Sequence, residues 1–251
     1  MSSLIINLQD SLRTVNFGVN GYQSGVMTVS SNVGLIFAGG LSFLEREGQR
    51  TGIYKRKIQG MARVALNGIE GDEHGDTRVH GGPEKAVHQY AAENYVLLAR
   101  VFPMCASALI PGSLGENLSA HRLTERNVHL GDIFRVGTAL LQVSQPRSPC
   151  WKINHRFDAD RMSMFVAQER ITGWYYRVVE PGDIQAGDSI ELVERQTDRF
   201  SIDEFWQVQL AHRPIVDDLL EVIAIPGLSQ DWKRRLGERT KWLQKQVPSA
   251  A

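Results

Sequence analysis

The spacing of apolar residues changes character along the chain. From Val33 to about Glu194 they come in short runs that alternate with polar residues and stop at glycine. "VGLIFAGG" closes on Gly39-Gly40. In "GDIFRVGTALLQVSQ", Phe134 and Val136 fall on one side, Gly137-Thr138 turns, and Leu141 and Val143 return. Alternation of period two around a tight glycine turn predicts a hairpin. "AGDSIELVER" repeats the Gly-Asp entry into a strand. One helix is expected inside this region, in "AAENYVLLARVF", where Tyr95, Leu98, Ala99 and Phe102 follow a three-four spacing and Pro103 stops the helix. Many short strands with glycine-rich turns and no regular alternation with helices predict a closed or half-closed β-barrel, and argue against a Rossmann or TIM fold.

After about Thr197 the pattern turns helical. Ser201 and Glu204 have capping-box spacing. Ile202, Phe205, Trp206, Gln209 and Leu210 fall largely on one face, and Val216, Leu219, Leu220 and Ile223 form a second stripe. Pro226-Gly227 breaks that stripe, and Ser229 caps a third helix carrying Trp232, Leu236 and Leu243. Residues 1–32 differ from both regions: they are rich in Ser, Asn and Gly, with Asp10 and Arg13 as their only charges. The expected organisation is an N-terminal extension over 1–32 without an assigned role, a barrel domain over 33–196 and a small three-helix domain over 197–251.

Composition narrows the function more than the fold. Lys plus Arg and Asp plus Glu both number 28, so the formal charge is zero. Nothing global points to stable nucleic-acid binding or to an acidic membrane surface, and any anion site must be local. No apolar run is long enough to span a bilayer, and no secretory signal is read at the N-terminus. Two cysteines, Cys105 and Cys150, suit a reducing cytoplasm better than a disulfide scaffold. G-x-S-x-G, the P-loop, G-x-G-x-x-G and H-E-x-x-H are all absent, which removes most serine-nucleophile and nucleotide-fold enzymes.

Three stretches carry chemistry. In "VSQPRSPCWKINHRF", Pro146 and Pro149 stiffen the chain around Arg147, Ser148 and Cys150, while Lys152, His155 and Arg156 follow closely. Cations near a sulfur favour its thiolate, and they also hold anionic ligands; a simply buried cysteine is the plain alternative. "GIEGDEHGDTRVHGGPEKAVHQY" is a glycine-rich loop whose Gly81-Gly82 amides suit an anion nest. Its Asp72, Glu73, His74, Asp76, His80 and His88 fit no defensible zinc spacing. In "PGSLGENL", Glu116 is a candidate for orienting a base or substrate, and Asn117 offers both a donor and an acceptor.

Taken in order, "GIEGDEHGDTRVHGGPEKAVHQY", "GSLGENL", "VHLGDIFRVG" and "QVSQPRSPCWK" resemble the MOSC domain, named after the C-terminal domain of molybdenum-cofactor sulfurases, with "TGIYKRKIQG" similar to the family's first basic segment. The likeness covers roughly residues 34–245 and is nearest to stand-alone bacterial members linked to hydroxylaminopurine resistance. It implies a mainly β fold, a MOSC β-barrel-like domain followed by a small C-terminal three-helix domain. The implied ligand is the molybdenum cofactor, with Cys150 as metal ligand or sulfur carrier. The implied activity is reduction of N-hydroxylated bases and related small molecules in the cytoplasm, with electrons from a separate flavoprotein; a homodimer stays open. Lys55, Arg56, Gly81, Gly82, His88, Glu116, Asn117 and Arg147 are the expected cofactor-binding residues. His80 or His88 is the expected proton donor, and Asp72 is expected to orient that histidine. A persulfide-bearing sulfur carrier and a non-catalytic cofactor carrier are the competing classes.

Overall fold

Between Ser30 and Glu194 seven strands hydrogen-bond into a sheet that closes on itself. The computed structural model describes residues 29–44, 48–75 and 81–246; most of the N-terminal extension and His80 lie outside these residues. The barrel strands are β1 (Ser30–Ala38), β2 (Val87–Ala91), β3 (Leu118–Ala120), β4 (Ile133–Val136), β5 (Ala139–Pro146), β6 (Trp174–Glu180) and β7 (Ser189–Glu194). Their order is β7-β4-β5-β6-β2-β3-β1, and β1 returns to β7 through pairs such as Ser31 with Ile190. Closure removes the free edges that would otherwise expose unpaired backbone. The hairpin register follows the sequence alternation: Leu141 lies opposite Phe134, and Ala139 opposite Val136. Phe134, Val136, Leu141 and Val143 are all fully buried.

Only β2 and β3 run parallel among the barrel pairs. A parallel pair needs a crossover. Here α1 (Asn94–Val101) and a 3-10 stretch (Pro103–Ala108) supply it. Tyr95 and Leu98 of α1 enter a second apolar cluster with Tyr90, Leu114, Ile153 and Val166. Two further helices correct the expectation of one: α2 (Lys152–Phe157) and α3 (Met162–Gln168) directly follow the Cys150 segment. Each buries a single i, i+4 pair, Ile153 with Phe157 and Met162 with Val166. One pair per helix is too little periodicity to register as an amphipathic stripe.

The C-terminal helices are α4 (Ile202–Leu210), α5 (Val216–Ala224) and α6 (Gln230–Gln246). Both halves of the capping box form at α4: the Ser201 hydroxyl accepts from Glu204 N–H at 3.2 Å, and the Glu204 carboxylate accepts from Ser201 N–H at 2.9 Å. Phe205, Trp206 and Trp232 meet edge to face, with ring centroids 4.9–5.8 Å apart. They belong to the same continuous apolar cluster as the barrel's Phe134, Trp174 and Ile190. Helices and barrel therefore share one core. Trp232→Ala is expected to lower stability by about 3–5 kcal/mol, in a single denaturant transition reported alike by circular dichroism and tryptophan fluorescence. Two separable transitions would show that the helices hold no common core with the barrel.

Candidate functional site

The sequence around Cys150 leads out of β5 into an open cleft of about 600 Å³. Strand pairing assembles its floor. Tyr175 of β6 lies opposite His88 of β2, and their rings stand 5.1 Å apart. Trp174 and Tyr176, on either side, face the core and are fully buried, so alternation turns Tyr175 to the other face. Arg147 leaves β5 with its backbone N–H on Gly173 O at 3.0 Å. Leu114, Gly115 and Asn117 enter from the approach to β3, and two loops, 51–55 and 74–75, form the remaining wall. Those loops lie against each other closely enough that a Cβ on Gly52 would come within 2.3 Å of the Glu73 carbonyl; only glycine allows that approach.

Cys150 is a free, half-buried thiol on this cleft. The cations near it in sequence split into two sets. Arg147 and Lys152 line the cleft. Arg156 turns away, donating to Ile53 O and lying 4.8 Å over the Tyr54 ring, while His155 packs edge-on against Trp151. Arg147 is 6% exposed; its Nη2 donates to Leu114 O at 3.2 Å, and its Nη1 has no hydrogen-bond partner. A buried guanidinium nitrogen without a partner is costly unless a ligand completes it. Lys152 Nζ reaches Arg50 O at 2.9 Å, tying α2 to the opposite wall.

Burial sets the protonation of the floor. It drives His88 well below its usual 6.5, and Arg147 adds to the effect. It pushes the Tyr175 phenol up, with Arg147 opposing. Asp72 sits under the wall, paired with Lys55, and accepts from Gly39 N–H at 3.0 Å and Asn117 Nδ2 at 2.9 Å. His74 Nε2 is 3.9 Å from the same carboxylate.

The structure thus brings Cys150, Lys55, His88, Asn117 and Arg147 to one cleft, with Asp72 directly beneath. Other expected residues lie elsewhere. Arg56 is exposed on a short strand paired with Phe37 and Ala38. Gly81 backs the His74 ring rather than lining the cleft, and Gly82 precedes a 3-10 turn at Pro83–Lys85. Glu116 is wholly buried. It accepts from the Tyr95 hydroxyl and Gly112 N–H, both at 2.6 Å, and from Leu114 N–H at 3.2 Å. It shapes the loop that carries Leu114 and Gly115. His74, Lys152 and Tyr175 join the cleft without having been assigned to the site. The alternation Trp174-Tyr175-Tyr176 was the signal that separates Tyr175 from its neighbours.

The MOSC domain family model matches residues 76–191. Protein YiiM of Escherichia coli is 40% identical over 194 residues, which is 77% of this chain and 86% of that one. The chain belongs to the MOSC family. The uncharacterized protein YflK of Bacillus subtilis is 37% identical over 198 residues, 76% of this chain and 86% of that one. A Gibberella moniliformis protein named Reductase is 35% identical over 175 residues, 69% of this chain but 31% of that one. The crystal structure of YiiM from Escherichia coli superposes with a TM-score of 0.71 at 33% identity, covering 84% of this MOSC chain and 93% of its own. The matched domain span contains Cys150, Arg147, His88 and Asn117, whereas Lys55 and Asp72 precede it. Among the described residues no helix of this MOSC protein is long and apolar enough to cross a membrane.

His88 generates a pH test. Its folded form resists protonation, while the unfolded chain takes up a proton near 6.5. Its contribution to stability is therefore present above 6.5 and is lost as pH falls toward the depressed folded value. In urea titrations at about pH 7 and about pH 5, His88→Gln should lose less stability on acidification than the wild type. An equal loss would show that His88 is not held neutral.

Proposed function

We propose that this cleft holds the molybdenum cofactor and that the protein is a reductase of N-hydroxylated compounds, hydroxylaminopurine-type bases among them, fed by a separate flavoprotein. One observation carries the reading: in a chain of zero net charge, Cys150 shares a cleft with Arg147 and Lys152, and Arg147 keeps a buried nitrogen without a partner. Among the described residues no Asp or Glu lines that cleft. The donor set fits the group. A thiolate is a soft ligand suited to a sulfur-coordinated metal, and a guanidinium with a free nitrogen suits the phosphate of a pterin. Among the described residues no three His, Cys, Asp or Glu side chains gather as a metal site, so Cys150 is the soft side-chain ligand that this cleft would offer a metal. The Gibberella moniliformis relative's printed name agrees with reductive chemistry.

When bound, the cofactor supplies the two-electron chemistry that breaks an N–O bond. The chain supplies position and charge. Cys150 Sγ is the metal ligand; Arg147 and Lys152 hold the phosphate; Asn117 fixes the wall through Asp72 and His88; Tyr175 and Leu114 form the flatter surfaces beside the thiol. The stiff Pro146–Pro149 segment keeps the sulfur in place, as a preorganised ligand requires.

Cys150→Ser is expected to fold with an unchanged melting temperature and to lose N-hydroxylamine reduction by at least about 100-fold, measured with cofactor-loaded protein and a chemical reductant. Cys105→Ser should retain activity, because Cys105 lies on a separate groove with Phe102 and Phe157. Full activity in Cys150→Ser would refute the reading; cyanide-labile sulfur without metal in the wild type would favour a persulfide carrier instead. Arg147→Ala should weaken cofactor retention about 10–100-fold, the equivalent of one charge-assisted hydrogen bond of about 1.5–3 kcal/mol. It is read as molybdenum and pterin per chain after dialysis, and unchanged retention would remove Arg147 from the site.

A further inference from the structure

A cation already neutralised by a carboxylate attracts an anionic ligand poorly. Lys55 is in that position. Its ammonium donates to both oxygens of Asp72, and the two side chains are 4% and 1% exposed. Gly39 N–H and Asn117 Nδ2 also donate to Asp72, so four hydrogen bonds fix the carboxylate and, through it, the lysine. No carboxylate pairs with Arg147 among the described residues; its Nη2 goes to a backbone carbonyl. Arg147 and Lys55 therefore suit different tasks, Arg147 the binding of an anion and Lys55 something that a neutral pair does well.

A lysine ammonium has three donors. Asp72 takes up two, and Lys55 is part of the cleft wall that also carries Cys150. Beside the same carboxylate stands His74, another cleft-lining residue, 22% exposed, with Nε2 3.9 Å from Asp72 Oδ2. Gly81 backs its ring: with φ of 81°, a Cβ there would come within 2.7 Å of His74 Cγ. Lys55, Asp72 and His74 thus lie side by side along the cleft wall, and His74 is the most exposed of the three.

We propose that Lys55 is the proton donor for N–O cleavage and that His74 returns the proton to it from solvent. This rests on the reductase reading of the same cleft. The balance is R₂N–OH plus two electrons and two protons giving R₂NH and water. The N–O bond breaks, a reduced-flavin donor supplies the two electrons, one proton passes from Lys55 Nζ to the departing oxygen, and the second passes from water to nitrogen. Burial favours such a donor, against the pull of the surrounding carboxylates. Burial lowers the Lys55 ammonium from 10.5, with Asp72 and Glu116 opposing, and burial together with Lys55 lowers His74, with Asp72 opposing. His88, Arg147 and Lys152 are the other titratable and cationic groups on the cleft beside Cys150. An ammonium made more acidic gives up its proton more readily near neutral pH.

Lys55→Arg separates the roles. Arginine keeps the charge and the pairing with Asp72 but does not release a proton at neutral pH. Lys55→Arg should bind molybdenum and pterin as the wild type does while its kcat falls about 100-fold or more. In cofactor-free protein, the Lys55 Cε resonance, assigned from the variant, should titrate below 10.5. His74→Gln should slow turnover, and added imidazole should restore it. Wild-type kcat in Lys55→Arg, or a Cε titration at or above 10.5, would overturn the role of Lys55. Loss of cofactor in Lys55→Arg alongside loss of kcat would also overturn it, in favour of ligand anchoring. A loaded wild type that reduces no N-hydroxylated compound would instead overturn the reductase reading.

Discussion

One buried amide ties the cleft together. Asn117 Oδ1 accepts from His88 N–H at 3.0 Å, while its Nδ2 donates to Phe37 O at 3.1 Å and to Asp72 at 2.9 Å. Its backbone N–H donates to His88 O, and its carbonyl accepts from Phe37 N–H, both at 2.7 Å. A single side chain thus joins β1, β2 and the loop that carries Asp72 at the start of β3, the short strand that makes the barrel's one parallel pairing. Asn117 is 1% exposed, so each of these bonds is made away from water, where leaving one unmade is expensive. Lys55 is placed by Asp72, His88 by its pairing with Tyr175, and Arg147 by Leu114. Of these groups, Asp72 and His88 bond directly to Asn117, and Leu114 is held by Glu116.

The electrostatics follow from that geometry. The chain is neutral overall, so the cleft's cations reflect placement and not composition. Their local compensation differs: Lys55 is balanced by Asp72, Lys152 is held by a carbonyl, and Arg147 retains an unused nitrogen. In the proposed reading, this graded compensation lets one small cleft combine an anion anchor, a fixed thiol and a proton-bearing pair without mutual cancellation.

What the sequence made legible was local. The β4–β5 hairpin, α1 and the α4 capping box rest on neighbours within a few residues, and alternation or capping chemistry reports them directly. The chemical character of the Arg147–Cys150 segment was legible for the same reason, as was the Asp72 loop. Contacts across the chain were not. Glu116 looked like a ligand-facing carboxylate in "GEN", yet Tyr95, 21 residues away, claims it. Arg56 sits beside Lys55, yet Lys55 lines the cleft while Arg56 is exposed on the short strand Arg56–Lys57. α2 and α3 were hidden because each buries only two apolar residues. His74 was lost among the turn-forming polar residues of its loop, and only the packing of Gly81 and Asp72 around it distinguishes it.

The most direct test of the account is a crystal of protein from a cofactor-producing host, measured on both sides of the molybdenum absorption edge. The account predicts one anomalous peak in the cleft, at bonding distance from Cys150 Sγ, with pterin density running toward Arg147. Molybdenum bound away from Cys150, or pterin density with its phosphate far from Arg147, would contradict it.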